Sequence, residues 1–252
     1  MHVTTLKKAQ FKALLFYTKL EGWDSEETHL RSLYKSHPND FFVLIHEEKI
    51  VGFVVAIRYS QRFGFISSFL VLKEFRFRGF GTFLFEHALE RLKDCQIALD
   101  SVKNKQSFYK KYGFKSYFNV TTYKFVVGSA HEPKSDFEVV NFYEKLSLLG
   151  LDEYMKSMIR YPTTNYKAIK KANAITSFAF SFKYVDGYKI HIESENLDET
   201  IALFFALVKE FKDASVAYVQ VTKLSPVLVE LVKLLNMSEH SKLVRMYNKI
   251  LE

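Results

Sequence analysis

Six residues, Arg76-Phe77-Arg78-Gly79-Phe80-Gly81, separate an apolar run, Phe65 to Leu72, from an amphipathic one, Thr82 to Leu92. That order predicts a strand, a glycine-containing turn and a helix N-terminus. Such a turn aims several backbone N–H groups at one point, and the helix dipole adds positive potential there. A side chain at Gly79 or Gly81 is expected to block close approach of a phosphate to the backbone. Arg76 and Arg78 beside the turn suit a pyrophosphate ligand. Two glycines and an arginine alone fit a plain strand-to-helix turn as well, so the flanking residues decide between the two.

Charge points the same way. The 252-residue chain carries a net charge of +8, and it is uneven. Residues 1–130 hold 20 Lys and Arg against 12 Asp and Glu, whereas residues 131–252 hold 16 of each. The excess lies in the half with the glycine turn, which fits a small polyanion. Its basic residues are scattered rather than gathered in a run, which argues against nucleic acid. The single cysteine, Cys95, cannot form an internal disulfide and suits a reducing cytoplasm. It is expected to be a half-buried structural thiol. No apolar run approaches the roughly 18 residues needed to span a bilayer, and no signal-peptide pattern opens the chain, so the reading is a cytoplasmic protein with no membrane partner.

Apolar spacing (Leu6, Phe11, Leu14, Leu15) predicts a first helix from Thr5 to Lys19. A loop, Glu21-Gly22-Trp23-Asp24-Ser25, follows, with a second helix starting near Ser25. Strands are expected at Phe41–Ile45, Ile50–Tyr59, Gly64–Leu72 and Ile97–Ser101. A helix follows the glycine turn, another runs from Lys105 to Tyr112 with Gly113 as its C-cap, and Tyr117–Val127 closes the unit as β structure. The polar stretch around Gly128 and Pro133 reads as a linker. Beyond it come helices at Phe142–Met158 and Tyr166–Ala172, then strands at Thr176–Tyr184 and Tyr188–Glu193. A helix at Leu197–Lys212, a strand at Val216–Val221, a helix at Pro226–Leu235 and a strand at Leu243–Tyr247 complete the order. The second half repeats the first, as a diverged duplication would. The expected division is a domain over 1–128, a linker over 129–136 and a domain over 137–252.

Arg76, Gly79 and Gly81 match an Arg/Gln-x-x-Gly-x-Gly/Ala signature, and Tyr109, Gly113 and Phe114 match Tyr-x-x-x-Gly-Phe. With these the chain resembles the GNAT family of acetyl-CoA-dependent N-acetyltransferases. Glu21-Gly22-Trp23-Asp24, Arg62-Phe63-Gly64-Phe65-Ile66 and Leu99-Asp100-Ser101 narrow the resemblance to the YitH-type two-domain subgroup. The resemblance implies an α/β (α+β) fold of two tandem GNAT-like domains, each a mixed, mostly antiparallel sheet flanked by helices, the second degenerate. It implies that the pantetheine arm of acetyl-CoA pairs with the backbone of Leu70, Val71 and Leu72. The pyrophosphate would rest on the amides of Arg76, Phe77, Arg78, Gly79, Phe80, Gly81 and Thr82. Tyr109 would protonate the departing thiolate, a task suited to a phenol; packing as a core aromatic is its structural alternative.

The wider family's Asn and Pro are replaced here by Val102 and Lys73. No Glu lies on the loop strand, which offers Ser67 and Ser68 instead. Asp100 is the candidate general base, with capping of the next turn as its alternative. Trp23 and Asp24 are expected to wall the acceptor site, where a ring face and a carboxylate suit a cationic amine, and Tyr59 is added as an acceptor contact. The acceptor is a primary amine, either a small molecule or a protein lysine, and the chain is expected to be a monomer or homodimer. His29 and His87 lack partners at ligand spacing, so no metal is expected.

In the second half Ser194, Leu197 and Glu199 align with Arg76, Gly79 and Gly81, and Val232 aligns with Tyr109. Glu193, Glu195, Asp198 and Glu199 crowd that helix start and would repel a phosphate. The expectation is one active site, in the N-terminal domain. A catalytically silent module that binds acyl-CoA is the alternative function.

Overall fold

Phe41 and Phe42 are adjacent on one strand and so point to opposite faces of the sheet. Each meets different helices, and this sets the layering. The computed structural model describes residues 1–23, 27–141, 153–172, 174–211 and 215–249. Its first elements are β1 (His2–Thr5), α1 (Phe11–Leu20), α2 (Glu27–Ser36), β2 (Phe41–His46), β3 (Lys49–Arg58) and β4 (Phe63–Val71). Next come α3 (Phe80–Arg91), β5 (Gln96–Ser101), α4 (Gln106–Lys110) and β6 (Lys115–Val126). The remainder is β7 (Glu138–Val140), α5 (Glu153–Ile159), β8 (Asn165–Lys171), β9 (Ala174–Tyr184) and β10 (Gly187–Glu193). The chain ends with α6 (Leu197–Val208), β11 (Val216–Thr222), α7 (Pro226–Leu234) and β12 (Ser238–Tyr247). The mixed α/β class is as expected. Among the described residues no helix is long and apolar enough to cross a membrane.

The first compact unit comprises Met1–Phe118 and Leu243–Glu252. Its strands follow the order β1-β2-β3-β4-β5-β12, and only the β4–β5 pair is parallel. On one face α1 packs Phe11 near Phe41 (6.4 Å between ring centroids) and Tyr17 near Phe53 (6.2 Å). On the other, Phe42, Leu44, Val54 and Ile66 form a core with Leu84, Phe85 and Ala88 of α3. The β2–β3 hairpin turns through Glu47 and Glu48, both at positive φ, between the two strands expected there.

The second unit comprises Asn119–Lys242, with strands in the order β6-β11-β10-β9-β8-β7. Again one pair, β10–β11, is parallel and is bridged by a helix, α6. The buried face of α6 (Ile201, Phe204, Phe205, Val208) and Leu231 of α7 pack on Phe125, Ile190 and Val219. Met158 and Ile159 of α5 cover Phe180 and Phe182.

Strand pairing does not follow the linear division into 1–128, 129–136 and 137–252. Val120–Val126 of β6 pair with β11, and Val244–Tyr247 of β12 pair with β5. The C-terminal strand therefore completes the sheet of the first unit, where Met246 is fully buried. Two local expectations are corrected. His2–Thr5 is a strand on β2, so the first helix begins only at Phe11, after a 3-10 turn. Tyr166–Ala172 is not a helix but mostly β8, held between β7 and β9. A register shift at Ile169/Lys170 breaks its alternation, so Ala168 and Ile169 are both buried and the period of two is hidden. β7 was not foreseen. The expected helix over 142–158 lies largely outside the described residues.

Candidate active site

β4 carries the site because its two edges behave differently. Against β3 it slips: Phe53 faces Leu70 and Val55 faces Ser67, so β4 has one residue more than its partner. The surplus is absorbed at Ser68, which adopts φ 47°, a β-bulge. On its other edge β4 runs beside β5 only from Phe63↔Gln96 to Ile66↔Leu99. From Ser67 onward, among the described residues, that edge has no strand partner, so the main-chain groups that face it, apart from the Val71 carbonyl that Arg76 takes, are open to an extended ligand.

The strand leads into a 3-10 turn at Lys73–Phe75 and then the glycine loop. Arg76 is extended (φ −69°, ψ 157°), Phe77 takes φ 63°, and Gly79 is the left-handed N-cap of α3 at φ 81°. The Phe83 N–H closes on the Gly79 carbonyl at 3.1 Å, the first bond of the helix. The amides before it have no intrahelical acceptor and point out along the positive end of the dipole. The two glycines differ in what demands them. Gly79 is fixed by its backbone conformation, since nothing lies within 4 Å of where a Cβ would be. At Gly81 a Cβ would make only ordinary contacts, with Val71 Cγ2 at 3.6 Å and Phe69 Cζ at 3.7 Å. The fold alone would tolerate a small side chain there. The bare backbone keeps room in front of the open amides, which fits a phosphate ligand.

Arg76 has internal partners. Its Nε donates to the Val71 carbonyl (2.8 Å), and Nη2 pairs with Glu21 Oε1 at 2.7 Å. The sequence after α1 explains how Glu21 gets there. Gly22, at φ 68°, donates to Lys19 and Trp23 donates to Thr18, a Schellman stop that ends the helix with Glu21 as its C-cap. So Glu21-Gly22-Trp23 reads structurally as a helix terminator that aims a carboxylate at the loop arginine. Trp23 itself is 38% exposed at this corner. Asp24 lies outside the described residues.

Tyr109 sits on α4 among Phe69, Phe85, Phe108 and Phe114, with ring centroids 5.4 to 6.5 Å away. Burial pushes its phenol up to about 12, so it is protonated throughout the neutral range. Its ring bridges β4, through Phe69, and α3, through Phe85. Tyr109 therefore belongs to the same cluster as the bulged strand.

Asp100 is placed differently from expectation. It stands opposite Arg245 on β12, which forks onto both its oxygens at 2.5 and 3.0 Å. The guanidinium also lies 5.0 Å from the Phe65 ring and 5.8 Å from that of Phe118. Both carboxylate oxygens are thereby engaged by the guanidinium. The evident role of Asp100 is to fasten the C-terminal strand. No local signal announces Arg245, since the partners are 145 residues apart.

Tyr59 is also set apart. Its N–H closes the β3–β4 hairpin on Phe63, and its ring packs on Phe63 and His37. That is four residues from Ser67, roughly 13 Å along the strand. Cys95 is fully rather than half buried, its sulfur near the Ser60 and Gln61 carbonyls at the same remote end. His87 packs edge-on against Phe42, and burial lowers its pKa.

The helix start in the second unit is chemically closed. Asn196 caps α6, its side chain accepting the Glu199 N–H at 3.0 Å. Glu199 is only 4% exposed. It accepts from Ser177 and from Thr176 at 3.1 Å and pairs with Lys171 at 2.5 Å. Burial alone would raise its pKa, but the bonds from Lys171, Ser177 and Thr176 outweigh that and hold it below the usual glutamate range.

Residues 8–114 match the model of the acetyltransferase (GNAT) family. Curated proteins gave no match. Among solved structures the chain resembles a candidate acetyltransferase from Pyrococcus horikoshii, at 16% identity and TM-score 0.73 over 98% of this chain and 88% of that one. It also resembles a tandem GNAT protein from the clavulanic acid biosynthesis pathway, at 10% identity and TM-score 0.72 over 100% and 99% of the two chains. A GCN5-related N-acetyltransferase from Sphaerobacter thermophilus follows at 10% identity and TM-score 0.68, covering 98% and 94%. Residues 8–114 thus match the GNAT acetyltransferase family, in a chain whose fold throughout resembles that of a tandem GNAT protein.

Proposed function

We propose that the chain is an N-acetyltransferase with one active site, in the unit that holds α3. It would pass the acetyl group of acetyl-CoA to a primary amine, on a small molecule or a protein lysine. One observation carries the reading: a single strand combines the bulge at Ser68, a free edge from Ser67 to Val71 and a glycine loop that ends on α3. The backbone of Leu70, Val71 and Leu72 would hold the pantetheine arm. The amides from Arg76 to Thr82, with the charges of Arg76 and Arg78, would hold the diphosphate. The thioester supplies an activated acyl group and a thiol leaving group.

The chain's own groups then have defined tasks. Main-chain N–H groups at the bulge polarise the acyl carbonyl. Tyr109, kept protonated by burial, donates to the departing sulfur. With Asp100 clasped by Arg245, proton removal from the amine falls to solvent beside Ser67 and Ser68. The rate should therefore rise with pH until the amine itself is neutral. Trp23 would line the acceptor entrance; Tyr59, at the remote hairpin, has no part in this assignment.

A silent acyl-CoA-binding module is the competing reading, and one feature favours it: Asp100, the expected base, is already engaged internally. Calorimetry with acetyl-CoA, followed by thiol release over a panel of amines, separates the two. Binding with thiol release supports the transferase, binding without release supports the module, and no binding removes both.

A further inference from the structure

Phe77 is the anomaly of the glycine loop. It sits at φ 63°, a backbone region that L-residues with bulky side chains rarely enter. Arg76 before it is extended, and a positive φ at the next residue ordinarily falls to Gly or Asn. The ring gains nothing for the fold in return, because its side chain is fully exposed, at 104% relative accessibility. Phe75 two residues earlier packs against Phe80, with ring centroids 5.9 Å apart, so the loop's apolar needs are met without Phe77. The chain thus holds a large aromatic in a strained conformation, in water, next to the open amides at the start of α3.

We propose that the Phe77 ring is a stacking platform for the adenine base of acyl-CoA. The inference rests on the acyl-CoA reading of the loop and adds a contact to it. In coenzyme A the base lies one ribose away from the diphosphate. A diphosphate seated on the amides that follow Phe77 leaves the base outside the loop, where this ring stands. An aromatic face exposed to solvent is suited to that purpose, since every base presents a π-face and stacking needs no directed hydrogen bond. Cations are at hand as well: Arg78, the next residue, is exposed and forms no ion pair among the described residues. The ring would let the loop discriminate acyl-CoA from acyl donors that carry only a phosphopantetheine arm.

The test compares two ligands on two variants of the full chain. Acetyl-CoA and S-acetyl-phosphopantetheine share the acyl group and the arm, and only the first has the base. Phe77→Gly removes the ring and suits the positive φ, so its melting temperature should equal or exceed that of the parent. It should bind acetyl-CoA about 5- to 100-fold more weakly, the range for loss of one base–aromatic stack, with S-acetyl-phosphopantetheine within twofold. Phe77→Trp should restore acetyl-CoA binding. An equal loss for both ligands would mean that the loop backbone had been disturbed, and would overturn the proposal. Unchanged acetyl-CoA affinity with slower turnover on a protein acceptor would assign the ring to a protein surface, and would overturn it too. If the parent chain binds neither ligand, the acyl-CoA reading fails first and this contact falls with it.

Discussion

The starts of α3 and α6 occupy the same place in two units of the same plan, each bridging the one parallel strand pair of its sheet. Their chemistry is opposite. At α6 an Asn side chain takes one terminal N–H, and a buried glutamate ties the first turn to β8 and β9 through three donors. At α3 the cap is a glycine with no side chain, and Gly81 leaves the amides bare. The first arrangement uses the helix terminus for stability, and the second leaves its donors free for the ligand we propose. Shared topology therefore carries no function by itself.

The largest expected effect comes from making the first start resemble the second. Gly81→Glu puts a carboxylate and a stem in the space before the amides, and should weaken acetyl-CoA binding by more than 100-fold by calorimetry. A Cβ meets only ordinary contacts at this position, so the melting temperature should change little. Glu199→Gly should create no site, since Asn196 still caps α6 with a side chain where Gly79 caps α3 with none. Wild-type affinity in Gly81→Glu would dissolve the distinction between the two termini.

The next effect is on turnover. Val232 stands at the position of Tyr109 in the second unit, so only the first has a phenol at that point. Tyr109→Phe keeps the ring among Phe69, Phe85, Phe108 and Phe114 and should leave acetyl-CoA affinity within a few-fold. kcat should fall by roughly 10²–10⁴ if the hydroxyl acts as general acid. With the phenol held near 12, its loss should not alter the shape of the pH–rate profile between pH 6 and 9. Full turnover in this variant, with a lowered melting temperature, would make Tyr109 a packing residue.

Much of this was legible in the sequence because it is local. The glycine loop, α3, the α4–Gly113 cap and the β2–β3 turn each depend on residues within a few positions of one another. The acids at Asp198 and Glu199 marked the second helix start as unsuited to phosphate. What escaped depends on distance. Asp100 looked like a free carboxylate because its partner, Arg245, is on the last strand. Glu21 and Arg76 were both noted, but their pairing requires the Schellman turn to face the loop. β8 looked helical because a bulge hid its alternation and its neighbours on both sides impose the strand. The exchange of β6 and β12 has no sequence signature, since either strand would suit either sheet by pattern alone.

A smaller effect tests the stabilising role of the second start. Glu199→Gln keeps the shape but removes the charge that Lys171, Ser177 and Thr176 hold, and should cost about 1–3 kcal/mol in urea unfolding at pH 7. The folded pKa of Glu199 is depressed, so its contribution is present above the unfolded value near 4.3. It is lost as pH falls through the lower folded value. The stability gap between parent and variant should therefore be full at pH 7 and close below about pH 4. Acetyl-CoA affinity should not move.

The smallest expected effect concerns Glu21, and it sharpens the comparison most finely. The loop of the first unit is not wholly bare: one acid already pairs with its arginine at 2.7 Å. A diphosphate that uses Arg76 must compete with that carboxylate, and an anion beside the cradle also repels it. The Glu21 side chain is about one-fifth exposed, so solvent screens the pair only in part. Glu21→Gln frees the guanidinium while the Schellman turn, a backbone feature, keeps the corner in place. Acetyl-CoA should then bind about three- to tenfold more tightly, with the gain largest at low ionic strength. Weaker binding would mean that Glu21 instead orients Arg76 against the Val71 carbonyl and that the pair is part of the assembled site. Either sign is measurable by titration at two salt concentrations, and the competition argued here requires the first.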